Sequence, residues 1–168
     1  MEMGGILGTP ERRWPTVSVL KEKRTTSAAE YVNTANLIYM ETVAFLTRLS
    51  ARYSRLVADG TAKLAGEVID HTEKANKIFP SDDQRKSLRK AHLLEAMASL
   101  SALDVRLTHC YLIMQQNPQG CFTDSKGKSL PPAEAMDKLD RMAQHLGELI
   151  DQEETLLRNI MESDRKRK

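Results

Sequence analysis

Apolar residues recur every three or four positions along four separate segments of this chain, and this spacing constrains its fold more than any other feature. It is the spacing of residues that share one face of an α-helix. The clearest such stripe comprises Leu93, Ala96, Leu100, Leu103, Leu107, Cys110 and Met114. It predicts a third helix from about Asp82 to Gln116, ended by Asn117-Pro118-Gln119-Gly120.

The other three segments show the same period. The first predicted helix starts near Ser27, which has Glu30 three residues later in the spacing of a capping box, and ends around residues 49–53. Its inner face comprises Ala28, Tyr31, Ala35, Ile38, Thr42, Phe45 and Leu49. The second helix ends before Pro80, and its inner face comprises Val57, Thr61, Leu64, Val68, His71, Ala75 and Ile78. The fourth begins at Pro131-Pro132, and its inner face comprises Leu139, Met142, Leu146, Leu149, Leu156 and Ile160.

No segment alternates with the period of a β-strand, so the predicted fold class is all-α. Four amphipathic helices joined by short connections favour an antiparallel up-down four-helix bundle, which would span residues 26–164. Residues 1–25 mix Gly, Pro and charge and are predicted to form a flexible N-terminal arm, in which Trp14 is either a docking residue or a stray aromatic. Residues 117–130 are a polar loop, and residues 165–168 are a basic C-terminal tail.

Composition excludes several classes of protein. No apolar run approaches the roughly 18 residues that a membrane span needs, so no membrane partner is expected. The N-terminus lacks the apolar region of a secretory signal. Cys110 and Cys121 are the only cysteines and form no metal or redox motif, so we interpret both as reduced thiols of a cytoplasmic protein.

The motifs of catalysis and of cofactor binding are missing from the sequence. There is no glycine-rich loop that could hold a phosphate. A di-metal site in a helical bundle needs Glu-x-x-His pairs on facing helices. The residues three positions before the four histidines are Val68, Arg89, Arg106 and Met142. Glu67 and His71 lie one turn apart, which is more typical of a polar contact than of a ligand set. We therefore expect a non-enzymatic protein with no cofactor and no metal.

Positive charge is concentrated in three clusters. The first surrounds the predicted turn between helices one and two and comprises Arg48, Arg52 and Arg55, with Tyr53 among them. The second comprises Arg85, Lys86, Arg89 and Lys90 at the start of helix three, where positive charge opposes the helix dipole. The third is the tail. Two explanations of these basic clusters remain open: they form a phosphate-binding surface, or they are an ordinary solvated face of the bundle. The predicted fourth helix is acidic, and two unlike surfaces suit subunit association or nucleic-acid binding.

Several short motifs are similar to those of a known family of small four-helix bundles. They are Ala75-Asn76-Lys77-Ile78-Phe79-Pro80, Arg52-Tyr53, the Arg-rich stretch from Arg85, and Glu153-x-x-Leu156-Leu157 followed by Glu162-Ser163-Asp164-Arg165. Over about residues 27–165 the chain resembles the Avd accessory proteins of diversity-generating retroelements and the bundles encoded by intervening sequences in bacterial 23S rRNA genes. It departs from that family in its longer loop and in Ser50-Ala51, where the family has Phe-Pro.

The resemblance implies a bacterial binding protein that forms a homo-oligomer, in the family a homopentameric barrel, and that binds a reverse transcriptase and its template RNA. It carries over Arg52, Tyr53, Arg85 and Arg89 as nucleic-acid-binding candidates. The charge pattern adds Arg48, Arg55, Lys86 and Lys90. Contact with the phosphate backbone is expected, and the partner could be RNA or DNA. A helical protein–protein adaptor without nucleic-acid binding is the alternative.

Overall fold

A computed structural model describes residues 29–168, which form four long helices. They are α1 (Glu30–Leu46), α2 (Ala51–Lys77), α3 (Asp83–Gln115) and α4 (Pro132–Lys166). Each helix packs chiefly against two others, in the cyclic order α1, α2, α3, α4, so the core lies between all four. This confirms the predicted all-α four-helix bundle. The predicted N-terminal arm and Trp14 lie outside the described residues.

The predicted apolar stripes form the core. All seven members of the α3 stripe are buried, and so are the members of the α1 stripe from Tyr31 to Leu49. The α2 stripe is less deeply placed, because Val57, Leu64 and His71 are only half-buried. No described helix has an apolar stretch long enough to cross a membrane.

Helices α3 and α4 begin within one residue of their predicted starts, whereas α1 differs from its prediction at both ends. Ala29 has an extended backbone and α1 begins at Glu30, so the predicted start near Ser27 is wrong. The helix also ends at Leu46, before the predicted range of 49–53, because the backbone turns over Thr47–Ser50. Leu49 is nevertheless buried, which explains why the apolar period continues past the end of the helix.

Specific contacts join helix starts to helix ends. The Tyr31 hydroxyl at the start of α1 donates to Asn76 Oδ1 at the end of α2, over 3.4 Å. Arg89, near the start of α3, bonds to the last turns of α2 and α4. We call this the α3-start end of the bundle. At the other end, which we call the α2-start end, residues of the α1–α2 turn meet the loop that follows α3.

The loop between α3 and α4 has little regular structure. It contains a 3₁₀ turn (Pro118–Cys121) and an isolated antiparallel bridge between Thr123 and Ser129. Gly127 adopts a left-handed backbone with φ 78°, and Asp124 Oδ1 accepts from the backbone N–H groups of Lys126 and Lys128. Pro131 and Pro132 then lead into α4, as predicted.

Candidate nucleic-acid interface

The start of α2 displays cationic and aromatic side chains without any acidic neighbour in its first turn. Ser50 is the N-cap residue but makes no side-chain cap bond. Arg52, Tyr53 and Arg55 are exposed, and within the described residues neither arginine lies within ion-pair distance of a carboxylate. The unpaired N–H groups of a helix start carry partial positive charge, which adds to that of the arginines. This surface can therefore attract an anion.

Arg48 belongs to the same end but lies in the turn itself. Its guanidinium lies over the ring of Phe122, 4.8 Å from the ring centroid. Phe122 is buried, so this cation–π contact fastens the loop after α3 against the α1–α2 turn. Arg48 remains exposed in this position. The sequence placed all three arginines around a turn, whereas Arg52 and Arg55 lie in the first turns of α2.

The second cluster lies at the α3-start end, at the far end of α2 from the first. Asp82 caps α3 by accepting from the backbone N–H of Arg85 over 2.8 Å. The Arg85 guanidinium donates to Ser81 Oγ, and its side chain is 61% exposed. Lys86 Nζ donates to the backbone carbonyl of Arg167 over 2.9 Å. The C-terminal tail therefore joins the second cluster, and α4 continues through the first two residues of that tail.

A groove of about 500 Å³ runs between the start of α3 and the end of α4. Its cationic lining comprises Lys86, Lys90, Arg158 and Arg165. Its acidic groups include Glu162, which accepts from Arg165 over 2.7 Å, and this bond holds the pKa of Glu162 below its usual range. The sequence placed Arg165 in the basic tail and did not nominate Arg158, although the predicted up-down helix order would have placed the end of α4 beside the start of α3.

Arg89 differs from the other candidates because its guanidinium is engaged within the fold. Its side chain is 11% exposed, and its Nε lies 2.5 Å from Asp164 Oδ2. Its Nη1 donates to the carbonyl of Ala75 over 2.9 Å and to that of Ile78 over 3.1 Å. Arg89 thus joins α3 to the last turns of α2 and α4, and these contacts occupy the groups that a phosphate would need.

One ionisable group outside both basic clusters is buried in the core. Glu153 of α4 is fully buried, and in the described part of the chain neither of its carboxyl oxygens has a hydrogen-bond partner. Burial, reinforced by the charge on Glu30, raises its pKa to about 8. The sequence spacing could have predicted that this position is buried, because Glu153 lies three or four residues from the next members of the buried series Leu146, Leu149 and Leu157.

Residues 29–168 also contain metal-ligating and thiol side chains outside the two basic clusters. No set of three or more His, Cys, Asp or Glu side chains there is placed to hold a metal ion. Cys110 and Cys121 are both free, and desolvation raises the pKa of each thiol. Raised pKa values make these thiols weak nucleophiles at neutral pH.

Comparison with known proteins finds no match for this chain among family models, curated proteins or solved structures. The resemblance of the short motifs to the Avd-type bundles therefore stays a hypothesis.

Proposed function

We propose that this protein is a non-enzymatic accessory protein that binds the phosphate backbone of a nucleic acid at the α2-start end. The observation that carries the proposal is a pair of exposed arginines, Arg52 and Arg55, which have no ion-pair partner among residues 29–168. They lie beside a helix start that has no acidic residue in its first turn and no side-chain cap. Tyr53 between them is 41% exposed and offers a ring on which a base can stack. Cations, helix N–H groups and an aromatic platform together suit binding that does not depend on base sequence.

The motif resemblance extends this proposal to the partner. It favours a bacterial, cytoplasmic protein that binds a reverse transcriptase together with its RNA. In that arrangement the polymerase performs the chemistry, and the bundle positions the nucleoprotein complex.

Replacing Arg52 and Arg55 together with Gln is expected to weaken RNA binding by about 10- to 30-fold near 100 mM salt, because two phosphate contacts are lost. The plot of log affinity against log salt concentration has a negative slope, and its magnitude should decrease by about 1.4 for a single-stranded ligand. The measurement is fluorescence anisotropy of labelled RNA and DNA oligonucleotides of mixed sequence, over about 50 to 300 mM salt.

A matched control removes the same charge elsewhere. Lys138→Gln with Arg141→Gln neutralises two exposed cations of α4, and the wild-type slope should remain. A parallel variant, Lys86→Gln with Lys90→Gln, tests the groove, and Arg89 is left intact because it stabilises the fold. If the Arg52/Arg55 variant binds like wild type, or if the wild type does not bind even at about 50 mM salt, phosphate binding at this end is wrong.

An exposed face of α3 favours the second candidate function, a protein–protein adaptor. This face is uncharged and lies opposite the buried stripe of the same helix. It comprises Ala91, Leu94, Ala98, Ser101, Val105, Thr108 and Leu112, all of them exposed. Leu94, Val105 and Leu112 are each about half exposed. In a chain with 29% charged residues, an uncharged outer face of this length is typical of a protein contact.

The same face supplies a contact for the homo-oligomer that the resemblance implies. If the family's five-fold assembly applies, light scattering should give about five times 18.9 kDa for the wild type. Leu94→Glu with Val105→Glu places charges on the face and should reduce the mass, whereas the Lys138/Arg141 variant should assemble normally. A wild type that is monomeric at micromolar concentration would contradict the assembly and favour an adaptor for a different protein.

A further inference from the structure

A cavity of about 160 Å³ lies between α3 and α4 and reaches the core side of α1. Its inner wall is apolar and buried, and it comprises Phe45, Leu107, Leu146 and Ile150. Asp104 and Thr108 also line the cavity and are exposed, so it opens to solvent beside them. An enclosed apolar cavity of about 150 Å³ accepts a benzene molecule. This cavity is therefore large enough for the apolar body of a small ligand.

Gly147 lies in the wall of the cavity and contributes no side chain to fill it. It stands in the interior of α4, where glycine destabilises a helix relative to alanine. Apart from the adjacent backbone of α4 itself, a Cβ atom at this position would meet nothing within 4 Å among residues 29–168. Packing therefore does not require glycine here, and the effect of the glycine is to leave the cavity open.

The charge at the opening of the cavity is negative. Asp104 is the one charged residue among the described residues that line it. Tyr111 also lines it, and its hydroxyl donates to Asp140 Oδ1 over 2.6 Å, which places a second carboxylate beside the opening. Among residues 29–168, neither aspartate has a cation within ion-pair distance. Unpaired carboxylates beside aromatic rings attract an organic cation.

We propose that this cavity binds a small organic ammonium ion, with its apolar body against the inner wall and its charged group at the Asp104 carboxylate. A bare inorganic cation does not suit the apolar wall, because the ion would lose its hydration there without gaining ligands. An anion is repelled by the two aspartates. No residue of the cavity belongs to either basic cluster, so the site does not depend on the nucleic-acid proposal.

The experiment titrates ¹⁵N-labelled full-length protein with three probes of similar size, benzylamine, benzyl alcohol and benzoate, and follows the backbone amide signals by NMR at neutral pH. A probe of about eight or nine non-hydrogen atoms is expected to bind with a Kd of about 0.1 to 10 mM. Benzylamine should bind about 3- to 10-fold more tightly than benzyl alcohol, because an exposed ion pair and a cation–π contact each contribute modestly. Benzoate should bind most weakly. This order is measured on the wild type and does not require any variant to fold.

Two variants locate the site. Gly147→Leu places a side chain in the cavity and should abolish binding of benzylamine and of benzyl alcohol. Asp104→Asn should lower the affinity for benzylamine to that for benzyl alcohol and leave the affinity for benzyl alcohol unchanged. Circular dichroism checks that both variants remain folded.

The matched controls make the same changes away from the cavity. Gly60→Leu alters an exposed glycine of α2 whose Cβ would also meet nothing within 4 Å, and Asp70→Asn removes an exposed carboxylate of α2. Both should bind benzylamine like wild type. The proposal is overturned if the wild type binds no probe up to about 10 mM, or binds all three equally. It is also overturned if Gly147→Leu binds like wild type, or if the cavity signals shift only on self-association, because a neighbouring chain would then fill the cavity.

Discussion

Raising the pH from about 5 to about 9 is expected to lower the free energy of unfolding by about 4 kcal/mol, because one carboxyl group is buried without a hydrogen-bond partner among residues 29–168. Glu153 is fully buried, and its pKa is raised from 4.5 to about 8 by desolvation and by the charge on Glu30. In the unfolded chain the same group ionises near its ordinary pKa. Between the two pKa values the folded state holds the proton that the unfolded state has lost, so stability falls as the pH rises through this window.

The substitution Glu153→Gln should remove most of this pH dependence, since an amide stays neutral across the range. At about pH 9 the variant should be more stable than wild type by about 4 kcal/mol, and at about pH 5 the two should agree within about 1 kcal/mol. Urea denaturation at three pH values measures the difference. Glu148→Gln changes an exposed glutamate of the same helix and should keep the wild-type profile. Parallel profiles for wild type and Glu153→Gln would contradict the burial of this carboxyl group.

The sequence predicted the fold where an unbroken stripe coincided with local start and stop signals. For α3, the apolar stripe is continuous, Asp82 provides the cap, and the Asn117-Pro118 step ends the helix, so its bounds were predicted to within one residue. For α1, the stripe continues to Leu49, which is buried although it lies in the turn. Periodicity reports burial and does not show where the backbone leaves the helix, which is why the end of α1 was placed too late.

The candidate site was less predictable because charge alone does not show what a side chain contacts. Arg52 and Arg89 both stand in arginine-rich stretches, yet Arg52 is exposed and unpaired within the described residues, while Arg89 is held by three groups of the fold. The contact between the rings of His71 on α2 and His92 on α3, whose Nδ1 atoms lie 3.3 Å apart, likewise depends on how the two helices are rotated about their axes, which a helical period leaves undetermined. Glu153 is one of the acids that made the predicted fourth helix acidic, although its spacing from Leu149 and Leu157 places it in the core.

Replacing Arg89 with Met is expected to destabilise the protein by about 3 kcal/mol, because one partner of a largely buried ion pair would remain alone. Asp164 is 15% exposed in its side chain, and Arg89 is the only cation within ion-pair distance of it among residues 29–168. The substitution also leaves the carbonyls of Ala75 and Ile78 without the donor they share. Urea denaturation near neutral pH measures the loss.

Two further variants separate the ion pair from a general effect of charge. Arg85→Met removes an arginine that is 61% exposed and pairs with Asp82 at 3.6 Å, and it should cost less than about 1 kcal/mol. Arg89→Met combined with Asp164→Leu removes both buried charges and should recover part of the loss. If Arg89→Met costs no more than Arg85→Met, the pair does not stabilise the fold, and Arg89 returns as a phosphate ligand. If the expected cost is found, Arg89 serves to join α3 to the last turns of α2 and α4 and is removed from the phosphate-binding candidates.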